Sequence, residues 1–162
     1  MVLWHTFTNS IKLPQKKALF KLNQTGMDIV VFYVCILTFI ASIPSFAEQM
    51  VNSENFFTKD MNILFLLIYF FMFYYLPFVI IVFLFISLAA YIGVGIAKLM
   101  QRKLKFSLLW KMIGFTLTIP FILFTCISII VPLDVNFLWL SLLYTFILLI
   151  KMISIYPKRR KR

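Results

Sequence analysis

Between Ile63 and Ala97 the chain runs for 35 residues without a charged side chain. At a rise of about 1.5 Å per residue such a run makes a helix of roughly 52 Å. That is too long for one upright crossing of a hydrocarbon core of roughly 30 Å. Two shorter apolar runs accompany it, at residues 29–47 and 113–131, and a fourth, at 137–156, is interrupted only by Lys151. A lysine so near a helix end reaches the headgroups with its amine, so the fourth run still counts as a span. Hydrophobic residues make up 63% of the chain, against about 45–50% in soluble domains. A globule of this size in water would expose more apolar surface than soluble monomers carry. Disorder is excluded too, because it needs low hydrophobicity beside its charge. The expected class is one small all-α domain, an integral membrane helical bundle.

The long run admits two descriptions, a hairpin breaking at Tyr75-Leu76-Pro77 or one span with an extended outer end. Charge placement decides between them. The 16 Lys and Arg outnumber the five acids, for a net charge of +11. With one crossing, Lys12, Lys16, Lys17, Lys21, Lys98, Arg102, Lys103, Lys105, Lys111, Lys151 and the cluster from Lys158 to Arg162 all share a side. Lys59 alone lies opposite, together with Glu48, Glu54, Asp60 and Asp134. Basic residues in short loops mark the cytoplasmic face. The sequence therefore predicts four transmembrane helices, at 29–47, 74–97, 113–131 and 137–156, with both termini cytoplasmic. Residues 63–73, rich in Phe and Tyr, are expected to form an aromatic extension at the outer end of the second span. Trp110, Trp139 and Tyr156 fall where interfacial aromatics belong.

Residues 1–28 form a basic segment ahead of the first span. Pro14 suits the first position of a helix, and Ala18, Leu19 and Leu22 make an apolar stripe among Lys16, Lys17 and Lys21. That pattern predicts an amphipathic interfacial helix on the inner leaflet, with Trp4, Phe7 and Ile11 adding apolar contact. Ser45-Phe46-Ala47 has the small residues of a leader cleavage site, but 28 residues exceed an ordinary leader's basic region, and cleavage would discard the segment that orients span one. Residues 157–162 form a cytoplasmic basic tail. Lys158, Arg159, Arg160, Lys161 and Arg162 are assigned as a lipid anchor on anionic headgroups, at about 1 kcal/mol per residue near the surface. Nucleic acid is not expected as a partner, since the run directly follows a span.

Chemistry-bearing motifs are sparse. Cys35 and Cys126 sit alone in apolar runs and His5 is the only histidine, so neither a disulfide framework nor a metal site is predicted. No nucleophile elbow, phosphate loop, zinc motif or carboxylate pair is present, so no catalytic and no cofactor-binding residue is assigned. Glu48, Glu54 and Asp60 read as solvated loop charges. No ionisable group lies near the middle of a span, which disfavours a self-contained coupled transporter. Ala89, Gly93 and Ala97 recur every fourth residue, a small-residue stripe for helix packing. Pro44, Pro77 and Pro120 interrupt spans and are expected to kink them, with Thr116, Thr118 and Thr125 available to freed carbonyls.

Three stretches carry a resemblance: Ser10 to Lys16 with Gln24-Thr25-Gly26, Ser42-Ile43-Pro44, and Leu104 to Lys111 leading into Thr118-Ile119-Pro120. Together they resemble an uncharacterised bacterial family of maltodextrin-utilisation membrane proteins, related to Yip-type multispanning proteins. Typical members carry a larger extracytoplasmic domain between the first two spans. Only residues 48–62 stand there in this chain, making it a short variant. The resemblance implies a bacterial cell-membrane location and a link to carbohydrate uptake, and it brings no catalytic residues. The expected function is a non-enzymatic accessory or regulatory membrane protein, working with a membrane protein partner or as a homo-oligomer. The alternatives are a small oligomeric channel or transporter subunit and a membrane-perturbing or immunity protein.

Overall fold

The computed structural model describes residues 2–51, 62–129 and 135–157. All regular structure among them is helical: α1 (Val2–Ile11), α2 (Lys16–Asn23), α3 (Met27–Val51), α4 (Ile63–Phe70), α5 (Leu76–Leu99), α6 (Phe106–Thr116), α7 (Thr118–Ser128) and α8 (Val135–Ile155). Residues 27–48, 63–99 and 106–128 are helical stretches long and apolar enough to cross a membrane, and residues 139–155 form a shorter apolar one.

Three prolines act differently according to where their missing N–H falls. Pro44 lies inside α3, which continues through it. Pro77 follows a π turn, Phe71–Tyr75, that joins α4 to α5. Within that turn the Leu76 N–H donates to the Phe71 carbonyl, five residues back instead of four. Pro77 has no N–H for the Phe73 carbonyl, so the ordinary ladder cannot close there. Pro120 likewise removes the donor that the Thr116 carbonyl would use. A single turn residue, Leu117, interrupts the rod between α6 and α7.

The two segments have different neighbours. Helix α6 packs on α5, α3 and α8, whereas α7 packs chiefly on α3. The core is centred on α6: Leu109 and Ile113 are fully buried among Val30, Ile86, Ala90, Leu149, Met152 and Ile153. Gly114 lets α3 come close, since a methyl group there would sit 3.2 Å from Val30 Cγ1 and from Val34 Cγ2. On the outside, Phe32, Ile36 and Ile43 of α3 and Ile80, Leu84 and Leu88 of α5 are exposed in rows.

The aromatic residues 70–75 do not stand beyond α3. They lie beside its residues 35–46: the Phe46 and Phe70 rings are 4.7 Å apart. The Tyr74 hydroxyl donates to Ser45 Oγ at 2.7 Å, and that of Tyr75 to the Cys35 carbonyl at 3.1 Å. At its other end the long helix packs on α6. Trp110 Nε1 donates to Ser87 Oγ at 3.2 Å, while Gly114, one turn further along α6, meets Val30 near the start of α3. The last turns of α5 therefore run past the beginning of α3 and pack on α6 and α8.

Candidate functional site

The basic segment ahead of α3 forms two helices where the sequence pattern predicted one. Pro14 is not the first residue of a helix: it stands in the turn that folds α2 back on α1, and Gln15, in extended conformation, precedes Lys16. Ala18, Leu19 and Leu22 are buried, and they face the body of the protein. Leu13, Leu19 and Leu22 close on Leu108, Met112 and Phe115 of α6. The stripe expected to lie on lipid thus belongs to the core, because α6 offers a complementary apolar face. Lys16, Lys17 and Lys21 remain exposed, as do Trp4 and Ile11, and Phe7 packs against the core.

A lysine secures this arrangement. Lys111 Nζ donates to the Asn23 carbonyl at 2.8 Å and to the Thr25 carbonyl at 3.0 Å. Both carbonyls lie at the C-terminal end of α2, where the helix dipole is negative and free acceptors accumulate. Counted along the sequence, Lys111 is one more basic residue before a span. In the fold it is part of α6 and clamps α2.

A buried polar contact ties α3 to the break in the α6–α7 rod. The hydroxyls of Tyr33 and Thr118 lie 2.7 Å apart. Thr118 donates its own proton to the Phe115 carbonyl at 2.6 Å, so the Tyr33 phenol is the donor in the pair. Among the expected partners of freed carbonyls, Thr116 serves Met112 and Thr125 serves Phe121.

Ala89, Gly93 and Ala97 all lie in the core. A methyl group on Gly93 would meet both Leu149 methyls at 3.4 Å and Leu109 Cδ1 at 3.5 Å. The small-residue stripe is therefore used inside the chain, for the approach of α5 to α6 and α8. Lys158, Arg159, Arg160, Lys161 and Arg162 lie outside the described residues, as do Glu54, Lys59, Asp60 and Asp134. Glu48 is exposed. Cys35 and Cys126 are free thiols. Among the described residues, no three His, Cys, Asp or Glu side chains come together in a metal-binding group.

Two further cavities lie among the described residues. One, of about 200 Å³, lies between α1 and α2 and is lined by His5, Thr6, Asn9, Lys21, Leu22 and Thr25. The other, of about 310 Å³, is framed by Ala41 of α3, four residues of α5, Leu117 with three residues of α7, and Phe137, Ser141 and Leu142 of α8. It lies beside Leu117, where α6 gives way to α7. The prolines pointed to a kink, but nothing in the sequence indicated which helices would part.

Residues 49–154 match the model of a family described as a protein of unknown function (DUF1189). No curated protein and no solved structure matches the chain. The motifs from Leu104 to Lys111 and from Thr118 to Pro120 fall inside the matched residues, whereas those at 10–16, 24–26 and 42–44 precede them.

Proposed function

The chain belongs to the DUF1189 family of unknown function, and from that premise we propose a non-enzymatic accessory or regulatory protein of the bacterial cell membrane. It crosses the bilayer four times with both termini on the cytoplasmic side. The observation that carries the membrane reading is the pairing of long apolar helices with outward rows of large apolar side chains, such as Ile80, Leu84 and Leu88. In water these rows would be a liability; in hydrocarbon they are the solvent-matched face. The orientation follows from the basic residues of the inner segments.

An accessory role is supported by how the polar side chains are used. Lys111, Tyr33, Thr118 and the Trp110–Ser87 pair all hold helices to one another. The larger cavity is walled by apolar groups apart from Ser141, which favours packing and partner contact over an ion path. Partners are the anionic bilayer and a membrane protein or a second copy, met through outward surfaces, since the small-residue stripe is already occupied. The link to carbohydrate uptake rests on the resemblance alone.

Crosslinking in native membranes before solubilisation tests the role. A stoichiometric complex with a membrane protein, and no flux of ions or sugars by the isolated chain in liposomes, is the expected result. Sustained flux through the isolated chain would overturn it. For topology, Asn62→Cys should react with an impermeant thiol reagent from outside intact cells, in a background lacking Cys35 and Cys126, and Ser107→Cys should not.

A further inference from the structure

We propose that the 310 Å³ cavity between α3, α5, α7 and α8 is a binding site for one acyl chain of a bilayer phospholipid. The inference rests on the membrane-spanning reading and goes beyond it, by distinguishing a held lipid chain from the lipid that merely surrounds the bundle.

The walls set the chemistry. Phe78, Phe85, Phe121, Phe124 and Phe137 contribute rings, and Ser141 contributes the one side-chain hydroxyl. Water needs two to four polar partners to stay in a cavity, so this space does not hold it. Left empty, it would forfeit dispersion contacts along every wall. The occupant is therefore a hydrocarbon. Its volume lies at the lower end of the roughly 300–1,000 Å³ typical of small-molecule sites, room for one chain and not for a helix from another protein.

The entrance points to the source. Ile81 lines the cavity yet is 62% exposed, so the space opens beside it. Ile81 adjoins the outward row Ile80, Leu84 and Leu88 on α5. The opening thus lies next to the surface that the bilayer covers, and an acyl chain enters sideways without leaving hydrocarbon. The polar headgroup stays outside, consistent with a cavity that has no charged wall. Pro120 is itself a wall residue, and Phe78 of α5 and Phe121 of α7, whose ring centroids are 6.3 Å apart, close one side of the space.

The test uses the full chain in phosphatidylethanolamine–phosphatidylglycerol vesicles doped with a phospholipid bearing a mid-chain diazirine. After irradiation, adducts are mapped by peptide mass spectrometry. Adducts are expected both on the outward row, at Ile80, Leu84 and Leu88, and on the cavity walls, at Phe85, Phe121 and Phe124. Ile81→Trp, which plugs the mouth, and separately Leu142→Trp, which fills the interior, should remove the wall adducts and leave the outward ones. Outward adducts without wall adducts would overturn the site while leaving the membrane reading intact. Wall adducts unaffected by both variants would overturn it equally. No adducts anywhere would overturn both the site and the membrane reading. A shift in oligomeric state with either variant, without loss of wall adducts, would assign the cavity to a second copy instead.

Discussion

Adding one methyl group at two glycines should change stability in opposite directions. At Gly93 the new carbon lands 3.4 Å from the Leu149 methyls and 3.5 Å from Leu109 Cδ1. These are ordinary contacts with the ends of flexible side chains. Helix propensity favours Ala over Gly by at most about 1 kcal/mol, so Gly93→Ala should be neutral or stabilising up to that amount. At Gly114 the carbon lands 3.2 Å from two valine methyls at once. Val30 and Val34 are 0% and 1% exposed, and a β-branched side chain in a helix has one strongly preferred rotamer. Relief therefore requires α3 and α6 to separate, with overpacking costs of about 1–3 kcal/mol. After a propensity gain of about 1 kcal/mol, Gly114→Ala should lose up to about 2 kcal/mol. Far-UV circular dichroism during detergent-micelle unfolding, with both variants in parallel, reads the difference. Equal midpoints, or Gly93→Ala as the more damaging change, would refute the packing described for α3, α5 and α6.

Lys111→Met keeps the length of the side chain and removes both donors to Asn23 and Thr25. At about 1.5–3 kcal/mol for a hydrogen bond to a charged group, hydrogen exchange at residues 16–25 should accelerate strongly while α5 and α6 keep their protection. Unchanged exchange there would mean that the clamp contributes nothing. Tyr33→Phe removes the donor to Thr118 and should cost about 1 kcal/mol, measured by the same unfolding experiment; a neutral result would place the hydroxyl pair outside the stabilising contacts.

The helical class and the long apolar stretches were legible because hydrophobic runs of this length leave few other solutions. What could not be read was which apolar face each helix turns inward. Leu19 and Leu22 look the same in a sequence whether a stripe meets lipid or α6, since both are apolar surroundings. The stripe of Ala89, Gly93 and Ala97 announced close packing but not its partner, because a small residue admits a neighbour from the same chain as readily as from another. Lys111 was counted for its charge alone, although its geometry toward two carbonyls is what matters in the fold. The aromatics at 70–75 are interfacial by type; their pairing with α3 depends on a π turn that has no reliable sequence signature beyond the nearby Pro77.

That π turn also governs how the long helix keeps its phase. Helix α4 buries Leu66 and Phe70, and α5 buries Val82 and Ile86. Phe70 and Val82 are 12 residues apart, which in an uninterrupted α-helix advances the side chain to about 120° from its starting azimuth. One residue absorbed by the wider turn reduces the offset to about 20°. The extra residue thus acts as a spacer that brings two amphipathic segments onto one azimuth. A relative lacking a single residue within 71–75 would keep both faces aligned, whereas a loss anywhere between Val82 and Ala97 would rotate one part of the buried seam out of the bundle.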